Sequence, residues 1–310
     1  MNFYKTLSKY NIEARFARVI SADQKKVTFK YKGKLYEMTD LELKDITKGK
    51  LIREKNDIIG NKKPAPIVND YVEETSPKPP GITIFITAYQ SQDYIEECLN
   101  SVANQTWFKN NDNWEVLIGV DGCKLTLNKI LSIKDKYKNL RVFMMNSNAG
   151  TYVTSNTLLE LGKYQHYLRF DSDDIMLPIM VESLMILVGK ADMVRFRFSG
   201  FKKNINENLK IGYYSHGIIF FDSKILSKLG GYDNVRCGAD TYFYKRAERL
   251  YKVFNLNKIL ACVRKHEGSL TTDKKTGLGS ATRSLAIKTM TENFNKMNYI
   301  KRVVNSYKEY

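Results

Sequence analysis

The sequence predicts an α/β chain built on a mostly parallel, doubly wound sheet, preceded by a small β-rich module. Three observations point there. From Gly81 onward, apolar runs of strand length alternate with segments of helical spacing. The runs are nearly continuous in hydrophobic residues, as buried parallel strands are. Polar and acidic residues gather just after them, at the carboxyl ends of strands, where open α/β sheets bind ligands.

Residues 1–63 form the basic β-rich module. Residues 14–20 read as a strand, and Val27, Phe29 and Tyr31 alternate with polar residues at strand period. Lys32-Gly33-Lys34 makes a hairpin turn into Leu35-Tyr36. Thr39 and Glu42 have the spacing of a capping box and predict a short helix over 41–46. Sixteen Lys and Arg against eight Asp and Glu give this module a charge of +8. Residues 64–80 are a linker, because five of the six prolines lie between 61 and 81 and proline-rich chain stays outside regular elements.

The second domain spans 81–270. Its strands are Ile82 to Ile86, Trp114 to Val120, Arg141 to Met145 and the apolar run Tyr164 to Phe170. Ile95, Cys98, Leu99 and Val102 share one helix face between the first two, and helices near 127–137 and 153–161 connect the others. Residues 271–310 are expected as a C-terminal helical extension. Trp107 and Trp114 flank a polar loop and read as core anchors, since aromatic side chains mostly bury area.

Composition narrows the function classes. Hydrophobic residues are 43% and aromatics 12% of the 310 residues, as in a folded globular protein. No run of eighteen apolar residues exists, so no transmembrane segment is expected. Met1 to Lys5 lacks the apolar core of a signal peptide. The four cysteines form no C-x-x-C pair, which predicts reduced thiols and a cytoplasmic location, or the host cytoplasm for a viral chain. Three scattered histidines do not make a histidine-rich metal centre. The net charge of +17 favours polyanions: nucleic acid, phosphorylated substrates, or an anionic membrane surface touched peripherally. Enrichment in Lys, Asn, Ile and Tyr together is also what an AT-rich coding sequence produces, so the charge is a broad electrostatic expectation only.

Asp171-Ser172-Asp173-Asp174 is the most informative stretch. Three carboxylates at the end of a buried strand repel one another and lose hydration, which is costly without a cation. Mg²⁺ and Mn²⁺ take oxygen ligands, commonly one or two carboxylates plus substrate phosphate oxygens. The stretch therefore reads as a metal–diphosphate site, with an acidic surface turn as the alternative.

In this context the sequence resembles the family 2 glycosyltransferases with the GT-A fold, over about residues 81–270. Ile82 to Gln90 is similar to the family's opening strand, and the helix from Asp93 to Asn104 with Gln105-Thr106 to the segment that follows it. Asp121-Gly122 resembles the base-binding Asp element, and Asn148-Ala149-Gly150 with Asn156 the segment before the metal signature. Asp171 to Asp174 with Pro178 resembles the D-x-D element. Gly230-Gly231-Tyr232-Asp233 and Gly238-Ala239-Asp240 resemble the acceptor-side motif, and Arg264 to Ser269 the closing one. Thr87 stands in place of a proline, Ser155 in place of an arginine and Ala239 in place of a glutamate. Arg169 is a candidate for the cation that Ser155 does not supply.

The resemblance implies site roles. Thr87, Tyr89, Asp121, Asn148, Gly150, Asn156 and Asp171 would bind the donor, a nucleotide-diphosphate sugar of uridine type, with Asp121 accepting N3–H of the base. Asp173, Asp171 and His266 would hold Mn²⁺ or Mg²⁺. Asp174 reads as supporting structure or a helix N-cap. Asp240 would be the general base of an inverting transfer, with helix capping as its alternative. Gly238, Ala239 and His216 would line the acceptor region. The acceptor itself stays open between a surface glycan or lipid-linked precursor and a hydroxylated base of DNA; the latter has to leave the stack to enter a cleft. From other classes, a non-catalytic nucleotide-sugar or nucleic-acid binding protein conflicts with the presence of Asp173 and Asp240. A nucleotidyltransferase would carry a Gly-rich phosphate loop that Thr87 to Gln90 lacks.

Overall fold

A computed structural model describes residues 78–310, except 203–209, 267, 271, 297 and 298, together with the backbone of five strands between residues 18 and 52. The chain divides into two units, 1–66 and 67–310. Most of the expected linker, residues 64–77, lies outside the described residues.

The first unit holds one antiparallel meander: β1 (Arg18–Ala22), β2 (Val27–Tyr31), β3 (Lys34–Met38), β4 (Leu43–Asp45) and β5 (Lys50–Ile52), paired in that order. The helix expected over 41–46 is corrected here. Met38 pairs with Leu43 and Tyr36 with Asp45, so the segment extends the sheet. A capping signal over so short a stretch nucleates a helix poorly, and a ladder on both sides wins.

The second unit carries a ten-stranded mixed sheet. Its parallel centre comprises β6 (Ile82–Ala88), β7 (Trp114–Val120), β8 (Leu140–Met145) and β9 (His166–Asp171). Every residue of β6 and β7 is buried, which is why their sequences are continuous apolar runs rather than alternating ones. α1 (Ile95–Ala103), α2 (Lys124–Ile133) and α3 (Thr151–Leu161) make the crossovers. α1 turns Ile95, Cys98, Leu99 and Val102 onto the sheet, the face its spacing predicts.

Beyond β9 the chain forms β10 (Ile175–Met176), α4 (Met180–Met185), β11 (Met193–Phe201), β12 (Lys210–Tyr214), β13 (Ile219–Asp222), α5 (Leu226–Leu229), α6 (Ala239–Leu250) and β14 (Val253–Arg264). β13 runs antiparallel between β9 and β11, while β14 lies parallel to β11 and antiparallel to β10. The C-terminal segment holds α7 (Ala281–Lys296) but ends as β15 (Tyr307–Glu309), which adds an antiparallel edge to β8.

Buried side chains fill both faces of the sheet. Ile84, Ile86, Ile118 and Phe170 pack with α1 and α2, while Phe85, Leu117, Tyr167 and Phe221 pack with α3 and α6. No helix among the described residues is long and apolar enough to cross a membrane.

Candidate active site at the carboxyl edge of the sheet

β6 is hydrogen-bonded to β7 on one side and to β9 on the other, so the connections leave it in opposite directions. Such a switch point opens a crevice beyond the strand ends. Thr87 at the end of β6 is in register with Asp171 at the end of β9. Thr87 shares a 2.7 Å hydroxyl contact with Thr151, and Tyr89 stands half exposed just beyond the strand.

The three carboxylates of the acidic cluster separate, each toward its own partner. Asp171 pairs with Arg169, Nη2 to Oδ1 at 2.8 Å. Arg169 is buried and donates from Nη1 to the Gly217 carbonyl at 2.5 Å and from Nη2 to Thr151 Oγ1 at 3.2 Å. Burial opposes its charge, but Asp171 and, further off, Asp240 hold the guanidinium protonated above its ordinary range. Arg169 thus supplies Asp171 with a countercharge, while burial and the neighbouring Asp173 and Asp240 hold its carboxyl above the ordinary range.

Asp173 faces the other way. Its Oδ2 lies 2.8 Å from His266 Nε2, and both side chains keep about a quarter of their surface exposed. Arg264 donates from Nε to the Asp173 carbonyl at 2.9 Å and pairs with Glu97, while its guanidinium lies over the rings of Tyr94 and Phe201. Asp174 is buried, accepts the Arg264 backbone N–H at 2.9 Å, and burial pushes its carboxyl well up. Asp174 thus ties β9 to the end of β14; it caps no helix. Among the described residues no three His, Cys, Asp or Glu side chains gather as a metal cage. A carboxylate and an imidazole side by side still suit a transition ion such as Mn²⁺, with the other positions left to phosphate oxygens and water.

Asp240 lies in the first turn of α6 and is not its cap. Gly238 occupies the cap position with φ 86°, and no side chain closes it. Asp240 Oδ1 accepts from the Tyr152 hydroxyl at 3.0 Å, and that hydroxyl accepts from the Gly238 N–H at 3.0 Å. A Cβ placed on Gly217 would stand 3.5 Å from Asp171 Oδ2 and 3.5 Å from Asp240 Oδ2. The two carboxylates thus flank Gly217, and Arg169 compensates their repulsion. Ala239, expected to line the acceptor region, is fully buried.

The loops beside β7 and β8 interlock. Asp121 is buried, its two oxygens accepting from the N–H groups of Ala149 and Gly150, both at 2.9 Å. It fixes the turn in which Gly150, at φ 98°, opens α3. Each oxygen keeps one lone pair beyond those bonds. Asn148 is exposed and accepts from Arg236 Nη1 at 2.8 Å. Asn156, expected on the donor, is corrected: it is fully buried, and its amide both donates to the Tyr232 carbonyl and accepts from the Tyr232 N–H. Its motif position reports packing of α3 against the Gly230–Asp233 loop.

His216 stacks on Tyr244, ring centroids 4.9 Å apart, with Nδ1 3.2 Å from Thr241 Oγ1. Burial, reinforced by Arg195 and Lys245, pushes its imidazole down to about 4, so it is neutral at physiological pH. Among residues that sequence reasoning missed, Tyr152 and Gly217 stand out; neither pattern nor spacing marks them. Arg169 did carry a signal, a charge inside an apolar run, which demands a buried partner.

Residues 83–211 match glycosyl transferase family 2. The family 2 region contains Thr87, Asp121, Tyr152 and the whole acidic cluster. An uncharacterized glycosyltransferase of Haemophilus influenzae is 28% identical over 116 residues, 37% of this chain and 35% of that protein. A poly(ribitol-phosphate) beta-glucosyltransferase of Bacillus spizizenii is 34% identical over 95 residues, 30% of this chain and 15% of its own length. The chain thus spans about a third or less of these relatives. S. aureus TarS in complex with UDP superposes with a TM-score of 0.52 at 20% identity, covering 60% of this chain and 61% of that one. A Pyrobaculum calidifontis mannosyltransferase with GDP-Man and Mn²⁺ gives 0.54 at 13% identity, covering 76% and 72%. At these identities the likeness is one of fold: a GT-A sheet around a family 2 region.

Proposed function

We propose that this chain is a metal-dependent, inverting glycosyltransferase that moves a sugar from a nucleotide-diphosphate sugar, of uridine type, to a hydroxyl of a polyanionic surface glycan or its lipid-linked precursor. The observation that carries the reading is Asp240, a partly exposed carboxylate fixed by Tyr152 and set across Gly217 from Asp171 at the switch point of a family 2 fold. An inverting transfer needs a base beside the acceptor hydroxyl. Asp240 would take that proton on Oδ2, since Oδ1 is held by Tyr152. Arg169 neutralises Asp171, so that the base does not face a second uncompensated anion.

Asp173 and His266 would hold the divalent cation, which neutralises the charge of a diphosphate leaving group. Tyr89 and Asn148, both open to solvent at the strand ends, are the residues best placed for the nucleotide, with Asp121 and Gly150 shaping the turn between them. Fold neighbours bound to UDP, UDP-GlcNAc and GDP-Man support a nucleotide-sugar donor. The acceptor class is supported by relatives whose names specify poly(ribitol-phosphate) and poly(glycerol phosphate), and by a net charge of +17, which attracts such polymers.

The test is a panel of nucleotide sugars screened by thermal shift with Mn²⁺. The best donor is then incubated with a polyol-phosphate polymer and, separately, with hydroxymethylated DNA. Release of nucleoside diphosphate only with the polymer supports the reading; release only with DNA overturns the acceptor, and no donor-induced shift overturns the activity.

A further inference from the structure

A second cleft opens at the opposite end of the sheet from the carboxylates. It is half open, has a volume of about 410 Å³ and lies where β7 and β8 begin, between Trp114, Val116 and Leu140 and the last turns of α1. That size is in the range of small-molecule sites. Leu99, Val102 and Val116 give it a buried apolar floor. Phe108 stacks on Trp114 as a wall, with centroids 4.0 Å apart and planes at 8°.

The interior has little hydrogen bonding left to offer. The Trp114 indole N–H donates to the Asn111 carbonyl at 2.9 Å. Gln105 donates to the carbonyls of Ser101 and Leu177 and accepts from the Val181 N–H. An occupant therefore meets the aromatic and apolar surface of Phe108 and Trp114 beside the polar groups of Asn104 and Tyr137. The rim is different, for Lys109, Lys136 and Lys138 all border the cleft and are exposed. Lys136 is paired with Glu96 at 2.8 Å. Among the described residues, no carboxylate stands within ion-pair distance of Lys109 or Lys138.

A cleft with an aromatic wall and, at its lip, two lysines that no carboxylate pairs among the described residues matches one ligand chemistry. We propose that this cleft binds a small apolar phosphate, its hydrocarbon seated between Phe108, Trp114, Leu99 and Val102 and its phosphate held by Lys109 and Lys138. Two sources present that chemistry, a soluble isoprenoid-type phosphate and a phosphate-headed lipid at a membrane surface. The site is separate from the carboxylates of the switch point and does not depend on the transfer reaction.

The chain reports on this cleft by itself. Its only two tryptophans are Trp107 and Trp114; Trp114 lines the cleft, and Trp107 packs edge-on against Phe108. Geranyl phosphate, titrated into the full-length protein below its aggregation limit, should change tryptophan fluorescence saturably. Geraniol and inorganic phosphate should each bind at least about tenfold more weakly, the scale of one lost favourable contact of 1.4 kcal/mol. Lys109→Glu with Lys138→Glu, both on the surface, should weaken geranyl phosphate by at least the same factor while leaving Tm and the ligand-free spectrum unchanged. UDP with Mn²⁺ should not displace the ligand.

Sedimentation with phosphatidic acid vesicles, lost in the double variant, would assign the lipid source. Solution binding without sedimentation would assign the soluble one. The proposal is overturned by an absent or unsaturable fluorescence change, by geraniol binding as tightly as its phosphate, by the double variant binding like wild type, or by competition from UDP.

Discussion

The Tyr152 hydroxyl donates to Asp240 Oδ1 at 3.0 Å and takes its own hydrogen bond from the Gly238 N–H at 3.0 Å. Its proton is thereby committed to one carboxylate oxygen, leaving the other for an incoming hydroxyl. Tyr152 is buried, and its ring lies 5.6 Å from that of Tyr232, so its position is set by packing. Tyr152→Phe keeps the ring and deletes the bond. We expect kcat to fall roughly tenfold, donor KM to stay level, and stability to drop by about 1–3 kcal/mol as the Gly238 N–H loses its partner. A parallel rise in donor KM would show Tyr152 to be general scaffolding.

Gly217 tests the convergence of charges. An alanine Cβ there would stand 3.3 Å from Arg169 Nη1 and 3.5 Å from one oxygen of each carboxylate. Gly217→Ala should fold and lower kcat/KM by about tenfold or more, a loss of at least about 1.4 kcal/mol in transition-state stabilisation. Gly217→Val should be worse. Wild-type kinetics in both would mean that the space between Asp171 and Asp240 is not used.

Asp173→Ala removes one of the two donors facing the crevice and leaves His266 alone. Calorimetric titration of Mn²⁺ in the presence of UDP should show at least a roughly tenfold loss of metal affinity, the scale seen when even outer-shell ligand support is lost. Folding should be retained, because the Asp173 side chain is partly exposed and bonds only to the partly exposed His266. Unchanged Mn²⁺ affinity, or full transfer in EDTA, would remove the metal from the account.

His216 sets a pH dependence of stability. Its folded pKa, about 4, lies below the ordinary value, with burial the main cause, Arg195 and Lys245 adding to it, and Asp240 and Glu248 opposing. Between about pH 6.5 and 4 the unfolded chain binds a proton that the folded chain resists, so stability is present above 6.5 and falls as pH drops toward 4. His216→Gln should shrink the decrease in Tm between pH 7 and 4.5. The decrease should not vanish, since buried His166 is shifted in the same direction. Equal decreases in mutant and wild type would place the acid sensitivity elsewhere.

Strands buried on both faces were legible in the sequence because continuous apolar runs have few other meanings; Trp114–Val120 has the bounds its sequence predicts. The switch point was not legible, because only pairing in space sets β6 between β7 and β9. Helix 41–46 was misread because a cap signal is local, whereas strand pairing is decided by neighbours in space. The acidic cluster was correctly placed at a strand end, but its division among Arg169, His266 and the Arg264 N–H depends on segments up to 93 residues away. Asn156 shows the same limit: a motif marks a polar residue, and only the fold reveals that the Tyr232 backbone is what it satisfies.

Asp240 is proposed as the base in a sugar transfer. The most direct measurement compares wild type with Asp240→Asn, reading nucleoside diphosphate release with acceptor present and, in parallel, donor binding by calorimetry. Turnover should fall by roughly 10²-fold or more, as for a lost general base, with donor affinity nearly unchanged. Donor affinity falling in step with turnover, or turnover surviving intact, would contradict it.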